Sequence, residues 1–279
     1  MNGIIVVNKK SGYTSRDVVN IISKILGTKK VGHTGTLDPI AEGVLIVCIG
    51  KCTKLCDYFT SNMKEYLAEF ELGYETDTLD NTGNITKKSN KIVNQEEIIK
   101  VINSFKGEYN QEIPKYSAVK INGKKLYEYA RNNIEVPLPT RLVNIKEIEI
   151  LNINNNIKIR CIVSKGTYIR SLIRDIGNKL GTYATMTRLI RTKQGEFDIK
   201  NSYTIEDINN NNYKLYTIAE IFNNYPKINM NAELYKKISN GVIIDNSFNS
   251  KYVLFYHNNE LISLYKEYEK SKLKPFIMI

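Results

Sequence analysis

The run GVLIVCIG, Gly43 to Gly50, carries apolar side chains without a break from Val44 to Ile49. A run this short and this continuous reads as a buried strand, with no wet face. Whatever the chain folds into must therefore cover that strand from both sides. A second run behaves differently. KEYLAEFELG alternates: Tyr66, Ala68, Phe70 and Leu72 share one face, and Glu65, Glu69 and Glu71 share the other with Leu67. That is a strand with one polar face, and its period of two turns Tyr66 inward.

Helical and turn signals punctuate the rest. Ile4 to Val7 reads as a short strand. Thr14 with Asp17 forms a capping-box pattern before Val18, Val19, Ile22, Ile25 and Leu26, and Gly27 stops that helix. Asn94 caps NQEEIIKVINSFKG, which Gly107 closes. Asn122-Gly123 marks a hairpin turn after a short strand, with an amphipathic helix following. LVNIKEIEIL and IKIRCIVSKG read as two strands joined by an Asn-rich turn. TYIRSLIRDIGNKLG carries a helical stripe of Ile169, Leu172, Ile173, Ile176 and Leu180, and TRLIRTKQGEF reads as a further strand. After about residue 222 the texture changes to a Pro-containing, Asn-rich join and then short strands and turns. These elements lack regular βαβ spacing, so we expect an α+β fold with a mixed, largely antiparallel sheet flanked by helices. We place domains at 1–222 and 223–279, the second small and β-rich.

Charge narrows the function. Lys plus Arg number 40 against 29 Asp plus Glu, a surplus of +11 that fits a polyanion, nucleic acid ahead of membrane. No apolar stretch is long enough to span a bilayer or to serve as a signal peptide's core, so a cytoplasmic protein is expected. Cys48, Cys52 and Cys56 follow a Cys-x3-Cys-x3-Cys spacing, but a strand and a helix would not converge them on a metal, and no His stands near as a fourth ligand. They read as small buried hydrophobes, and no metal is expected. The phosphate loop, the dinucleotide fingerprint and His-Glu-x-x-His are absent from the sequence.

One polar stretch remains, GHTGTLDPIAEG, Gly32 to Gly43. An Asp-Pro pair is ordinarily a turn. Here Asp38 stands among glycines that admit a close ligand, the flat ring of His33, and the hydroxyls of Thr34 and Thr36. A flat ring beside a carboxylate suits a planar substrate such as a base. GHTG also matches the Gly-x-x-Gly clamp of KH modules, but that clamp joins two helices and here a strand follows.

GHTGTLDPIAEGVL, KEYLAEFELGYETDTLDNTG, IPKYSAVKINGKKLYEYAR, VSKGTYIRSLIRDIGNKLG and TRLIRTKQG together resemble the successive blocks of the bacterial tRNA pseudouridine-55 synthases of the TruB type, in that family's order from about residue 3 to 200. The tail around NYPKINMN and ISNG resembles a short PUA domain, a small RNA-binding β-barrel. The chain departs from the family at Lys9-Lys10-Ser11-Gly12, which lacks a Pro, at Ile113-Pro114, where Pro-Pro is common, and after Ala130-Arg131, where a Gly is common.

The resemblance implies a pseudouridine synthase fold and assigns roles. Asp38 would be the nucleophile, Arg170 its ion-pair partner, and Tyr66 a base-stacking and proton-transferring residue. A carboxylate nucleophile must be ionised, which burial opposes and a bidentate Arg favours. Loss of Arg170 would then cost on the order of 3–5 kcal/mol by stranding a buried charge. His33 would brace the gap left by a flipped-out uridine, with stacking worth about 1–3 kcal/mol. Tyr168 and Leu189 would line the pocket, and Lys9, Lys120 and Lys165 would meet phosphates or the pocket. The isomerisation adds and removes no atom, so no cofactor is expected. The partner is the T-arm stem-loop of tRNA, isomerised at position 55. The chain begins almost at its first strand, so action as a monomer without an obligate protein partner or a guide RNA is expected. The alternative is a non-catalytic tRNA-binding or tRNA-folding protein on the same scaffold, which would not need Asp38, Arg170 and Tyr66 together.

Overall fold

The computed structural model describes residues 1–154, 156–269 and 271–279. The chain opens with β1 (Gly3–Lys9), α1 (Ser15–Ile25), β2 (Val31–His33), β3 (Glu42–Ile49) and α2 (Cys56–Thr60). Next come β4 (Lys64–Leu72), the hairpin β5 (Tyr74–Thr76) and β6 (Ile85–Lys88), α3 (Gln95–Asn103) and β7 (Gly107–Glu112). A small hairpin, β8 (Lys120–Ile121) and β9 (Lys124–Lys125), leads into α4 (Leu126–Arg131). Then follow β10 (Thr140–Asn152), β11 (Ile157–Val163), α5 (Ile169–Lys179), β12 (Ala184–Gln194) and β13 (Phe197–Asp198).

Among the described residues nine strands form one sheet, in the order β1-β3-β12-β4-β11-β10-β7, with β2 paired to β3 and β13 to β12. Its pairs are antiparallel except β3 with β12. This is the mixed, largely antiparallel sheet expected. The Asn-rich turn expected between β10 and β11 contains Asn155, which lies outside the described residues.

The continuous apolar run of β3 is explained by what covers it. Leu45, Val47 and Ile49 pack with Val18 and Ile22 of α1 in the larger core cluster, which also takes in Leu172, Ile173 and Ile176 of α5. Val44, Ile46 and Cys48 point the other way, into a core shared with Phe59, Phe222, Tyr252, Leu254 and Ile277. The last three belong to a second sheet. Its strands are β14 (Lys227–Asn229), β15 (Ile244–Asp245), β16 (Tyr252–His257), β17 (Glu260–Tyr268) and β18 (Lys272–Met278), in the order β14-β16-β17-β18-β15. β4 has no such second cover. Tyr66, Ala68 and Phe70 are buried, while Glu65 and Glu69 pair with Arg160 and Lys158 across β11.

Caps fix the helix starts. Thr14 and Asp17 close a reciprocal capping box on α1, and Asn94 accepts from the Glu97 N–H on α3. The tail departs from a reading of strands and turns only. A helix, Ala232–Ser239, stands within it, capped by Asn231 and carrying a Glu233–Lys237 pair. It is short, and Ile238 is its one buried residue, so it left almost no apolar period in the sequence. The helices at Ile205–Asn209 and Ile218–Ile221, of 5 and 4 residues, are too short to show a period.

Where β3 and β12 run parallel, Gly43 lies opposite Arg191. An added Cβ there would collide with the Arg191 carbonyl, so only glycine lets the two strands meet. That contact brings the loop before β3 against β12, and α5 starts on the same side. Among the described residues no helix is long and apolar enough to cross a membrane.

Candidate active site

The loop between β2 and β3 is held from several directions. The Ser15 hydroxyl accepts from the Leu37 N–H at 2.9 Å. Buried Gln194 donates to the carbonyls of Thr34 and Phe59 and to the Thr34 hydroxyl. Arg191 donates to the Gly35 carbonyl. Asp38 thus stands on a pinned backbone rather than a free turn.

Arg170, in the first turn of α5, meets Asp38 with a two-pronged fork. Its Nε donates to Oδ2 and its Nη2 to Oδ1, both at 2.8 Å. The remaining guanidinium bonds go to the carbonyls of Thr78 at 2.8 Å and Tyr116 at 3.1 Å. Asp80 lies behind, its Oδ2 3.9 Å from Nη1. The Arg170 side chain is 5% exposed but that of Asp38 is 31% exposed. The cation is locked in the protein and the carboxylate keeps an open side. Removal of the arginine would leave Asp38 open to water but would strand Asp80, which is 5% exposed and has Arg170 as its nearest cation.

Asp38 opens into a cleft of about 420 Å³ that Tyr66, Tyr168, Ile169, Arg170 and Leu189 also line. Burial pushes the Tyr66 phenol up, with the Arg191 guanidinium partly opposing it. Burial likewise raises Tyr168. Tyr168 is fixed by its backbone: its N–H donates to Gln111 Oε1 at 2.7 Å, and Gln111 Nε2 donates back to its carbonyl at 3.1 Å.

The other expected residues divide. Lys165 is exposed and lines the cleft. Lys120 is exposed on the small β8–β9 hairpin and is not part of the lining. Lys9 is fully buried and is no phosphate contact. Its ammonium donates to the carbonyls of Lys10, Tyr13 and Pro39, so it braces the backbone next to Asp38. His33 ends β2, half-buried and outside the cleft lining, with Nδ1 buried and unpartnered. Burial lowers its pKa, and the nearby Arg16 and Arg191 act in the same direction.

Several lining residues escaped the sequence reading, among them Lys64, Arg191, Arg141, Tyr116 and Tyr127. Strand alternation could have found Lys64 and Arg191: Lys64 stands two before Tyr66, and Arg191 two after Leu189. The contact of Asp80 with Arg170 and that of Gln111 with Tyr168 had no local signal, because those partners lie far along the chain. Cys48, Cys52 and Cys161 are buried and Cys56 half-buried, all as free thiols. Among the described residues no group of three or more His, Cys, Asp or Glu is placed to hold a metal ion.

Residues 23–169 match the family described as TruB family pseudouridylate synthase (N terminal domain), and residues 170–221 match the tRNA pseudouridylate synthase B C-terminal domain. The tRNA pseudouridine synthase B of Clostridium tetani is 53% identical over 217 residues, covering 76% of this chain and 74% of that protein. That of Clostridium kluyveri is 41% identical over 291 residues, covering 99% and 100%. Among solved structures, a Cbf5-Nop10-Gar1 complex superposes with a TM-score of 0.71 at 26% identity, covering 99% of this chain and 84% of the other. An H/ACA RNP bound to a substrate RNA containing 2′-deoxyuridine gives 0.69 at 25%, covering 99% and 83%.

Proposed function

The chain belongs to the TruB family of pseudouridylate synthases, and from that premise we propose that Asp38 is the nucleophile by which it isomerises the T-loop uridine at tRNA position 55. Its activity is that of a tRNA pseudouridine synthase B, an isomerase. The observation that carries the finer reading is the fork of Arg170 on a carboxylate left 31% open in a cleft that Tyr66 and Tyr168 help to line.

The reaction breaks the bond from C1′ to N1, turns the base, and joins C1′ to C5, whose proton leaves. Asp38 forms the covalent bond that starts it. Arg170 holds both carboxylate oxygens, keeping the group ionised and aimed. A uridine stacked in folded RNA must first flip out, at about a few kcal/mol. Tyr66 and Tyr168 receive the base, and Leu189 closes the apolar side. The Tyr66 hydroxyl, raised by burial, stays protonated at neutral pH and is suited to hand over a proton and take one back. His33, outside the cleft lining, braces the RNA that the uridine leaves.

We read residues 1–222 as the catalytic unit and 223–279 as a PUA-like RNA-binding unit. The partner is the T-arm stem-loop, met by a monomer in the cytoplasm. The test is to incubate unmodified tRNA transcript with the protein and map pseudouridine by chemical adduct and primer extension. A single new stop at position 55 is expected. Modification spread over several uridines, or absent from the T-loop, would overturn the reading.

A further inference from the structure

We propose that Lys64 and Arg191, with Arg141 and Lys165 at the rim, form an anion subsite that takes an RNA phosphodiester adjacent to the target uridine. This rests on the reading that the cleft receives a flipped uridine.

The cleft is unbalanced in charge. Asp38 is its one carboxylate among the described residues, and Arg170 already neutralises it. The four remaining cations have no carboxylate within 4 Å among the described residues. Two of them are not ordinary surface groups. Lys64 is 7% exposed and Arg191 1%. Lys64 spends two of its three N–H groups on the carbonyls of Thr60 at 2.8 Å and Asn62 at 2.7 Å, leaving one unspent. Arg191 donates to the carbonyls of Val44 and Gly35 and keeps further N–H groups.

A buried ammonium beside other cations is unfavourable until an anion joins it. The strain is visible at Lys64, whose pKa burial lowers to about 8, with Arg191 and Lys165 pushing the same way. At the rim the Arg141 guanidinium lies flat on Gly166, where an added Cβ would collide with Nη1. Buried and exposed cations thus line one cleft beside Asp38. A phosphodiester fits because each nucleotide carries one within a bond or two of the sugar, so a base held against Tyr66 brings its own anion along.

The experiment is a cycle between protein and RNA. T-arm stem-loops are made with a neutral methylphosphonate at the linkage 5′ or 3′ of the target uridine. Each is assayed with wild type, Lys64→Met and Arg141→Gln, and melting is followed in parallel. Arg141 is exposed, so its variant keeps the cycle valid if loss of the Lys64 carbonyl contacts harms folding. One linkage should raise KM about tenfold in wild type with kcat nearly unchanged, and the same substitution should cost little more in either variant. Tolerance of both methylphosphonates by wild type, or losses that simply multiply, would overturn the subsite. Failure of the proposed function looks different: the unmodified stem-loop itself would not be isomerised at all.

Discussion

Arg170 and Arg174 stand one turn apart on α5, and each reaches carboxylates, yet they do different things. Arg174 donates to Asp175 and Glu112 and faces a cavity of about 710 Å³. Glu75, Asp77, Glu112, Glu135 and Asp175 line that cavity opposite Lys87, Lys115 and Arg174, so its acids outnumber its bases. Arg170 faces the smaller cleft, where Asp38 is the one acid among five cations of the described lining. Tyr116 lines both spaces, and its carbonyl holds Arg170. The difference teaches what makes an ion pair a site. Arg174 ties β7 to α5 where acids predominate. Arg170 aims one half-open carboxylate inside a field that draws anions.

Breaking the comparison at Arg170 should give the largest effect. Arg170→Ala is expected to lower kcat by about 10³-fold or more, since the fork and its aim are lost together. It should cost stability about 3–5 kcal/mol, because buried Asp80 loses its cation even though Asp38 remains partly solvated; single-turnover rates and denaturant melts read the two separately. Next comes Tyr66→Phe, which keeps the ring and removes the hydroxyl. A loss of about 10²-fold in kcat with unchanged tRNA affinity is expected, measured by tritium release and filter binding. An effect under threefold would leave Tyr66 as a stacking surface only.

Arg174→Met sharpens the contrast from the other side. It strands Asp175, whose pKa burial already raises, and should cost about 1–3 kcal/mol of stability. The kcat of the folded variant should stay within about threefold of wild type. A loss matching that of Arg170→Ala would erase the distinction between the two arginines.

The smallest effect is on pH. Lys64 titrates near about 8 in the free protein, and a bound phosphate favours its charged form. RNA binding then takes up a proton, so affinity should fall severalfold as pH rises from 7 to 9. Lys64→Met should flatten that slope, as isothermal titration in two buffers of different ionisation heat would show.

How much of this could be read beforehand follows from how local each signal is. The unbroken run Val44–Ile49 demanded cover on both faces, and the larger core and the second sheet supply it. Alternation in β4 turned Tyr66 inward, as found. The Asp38–Arg170 pair spans 132 positions, and no period or cap signals such a contact; it came only from resemblance. Lys9 entered as a phosphate or pocket candidate through the resemblance, and only the fold gives it three carbonyls to hold. Lys64 and Arg191 were legible by strand parity, but a cation on an inward face runs against the usual pattern. The helix at Ala232–Ser239 was hidden by its single buried side chain.

The most direct measurement compares wild type with Asp38→Asn, an isosteric change that keeps the loop and removes the nucleophile's charge. Tritium release from C5-labelled tRNA is followed at saturating enzyme, with tRNA binding measured on the same preparation. The account predicts full binding and release reduced to background, a loss of at least about 10³-fold. Release within tenfold of wild type, with binding intact, would contradict it and return Asp38 to the role of a turn residue.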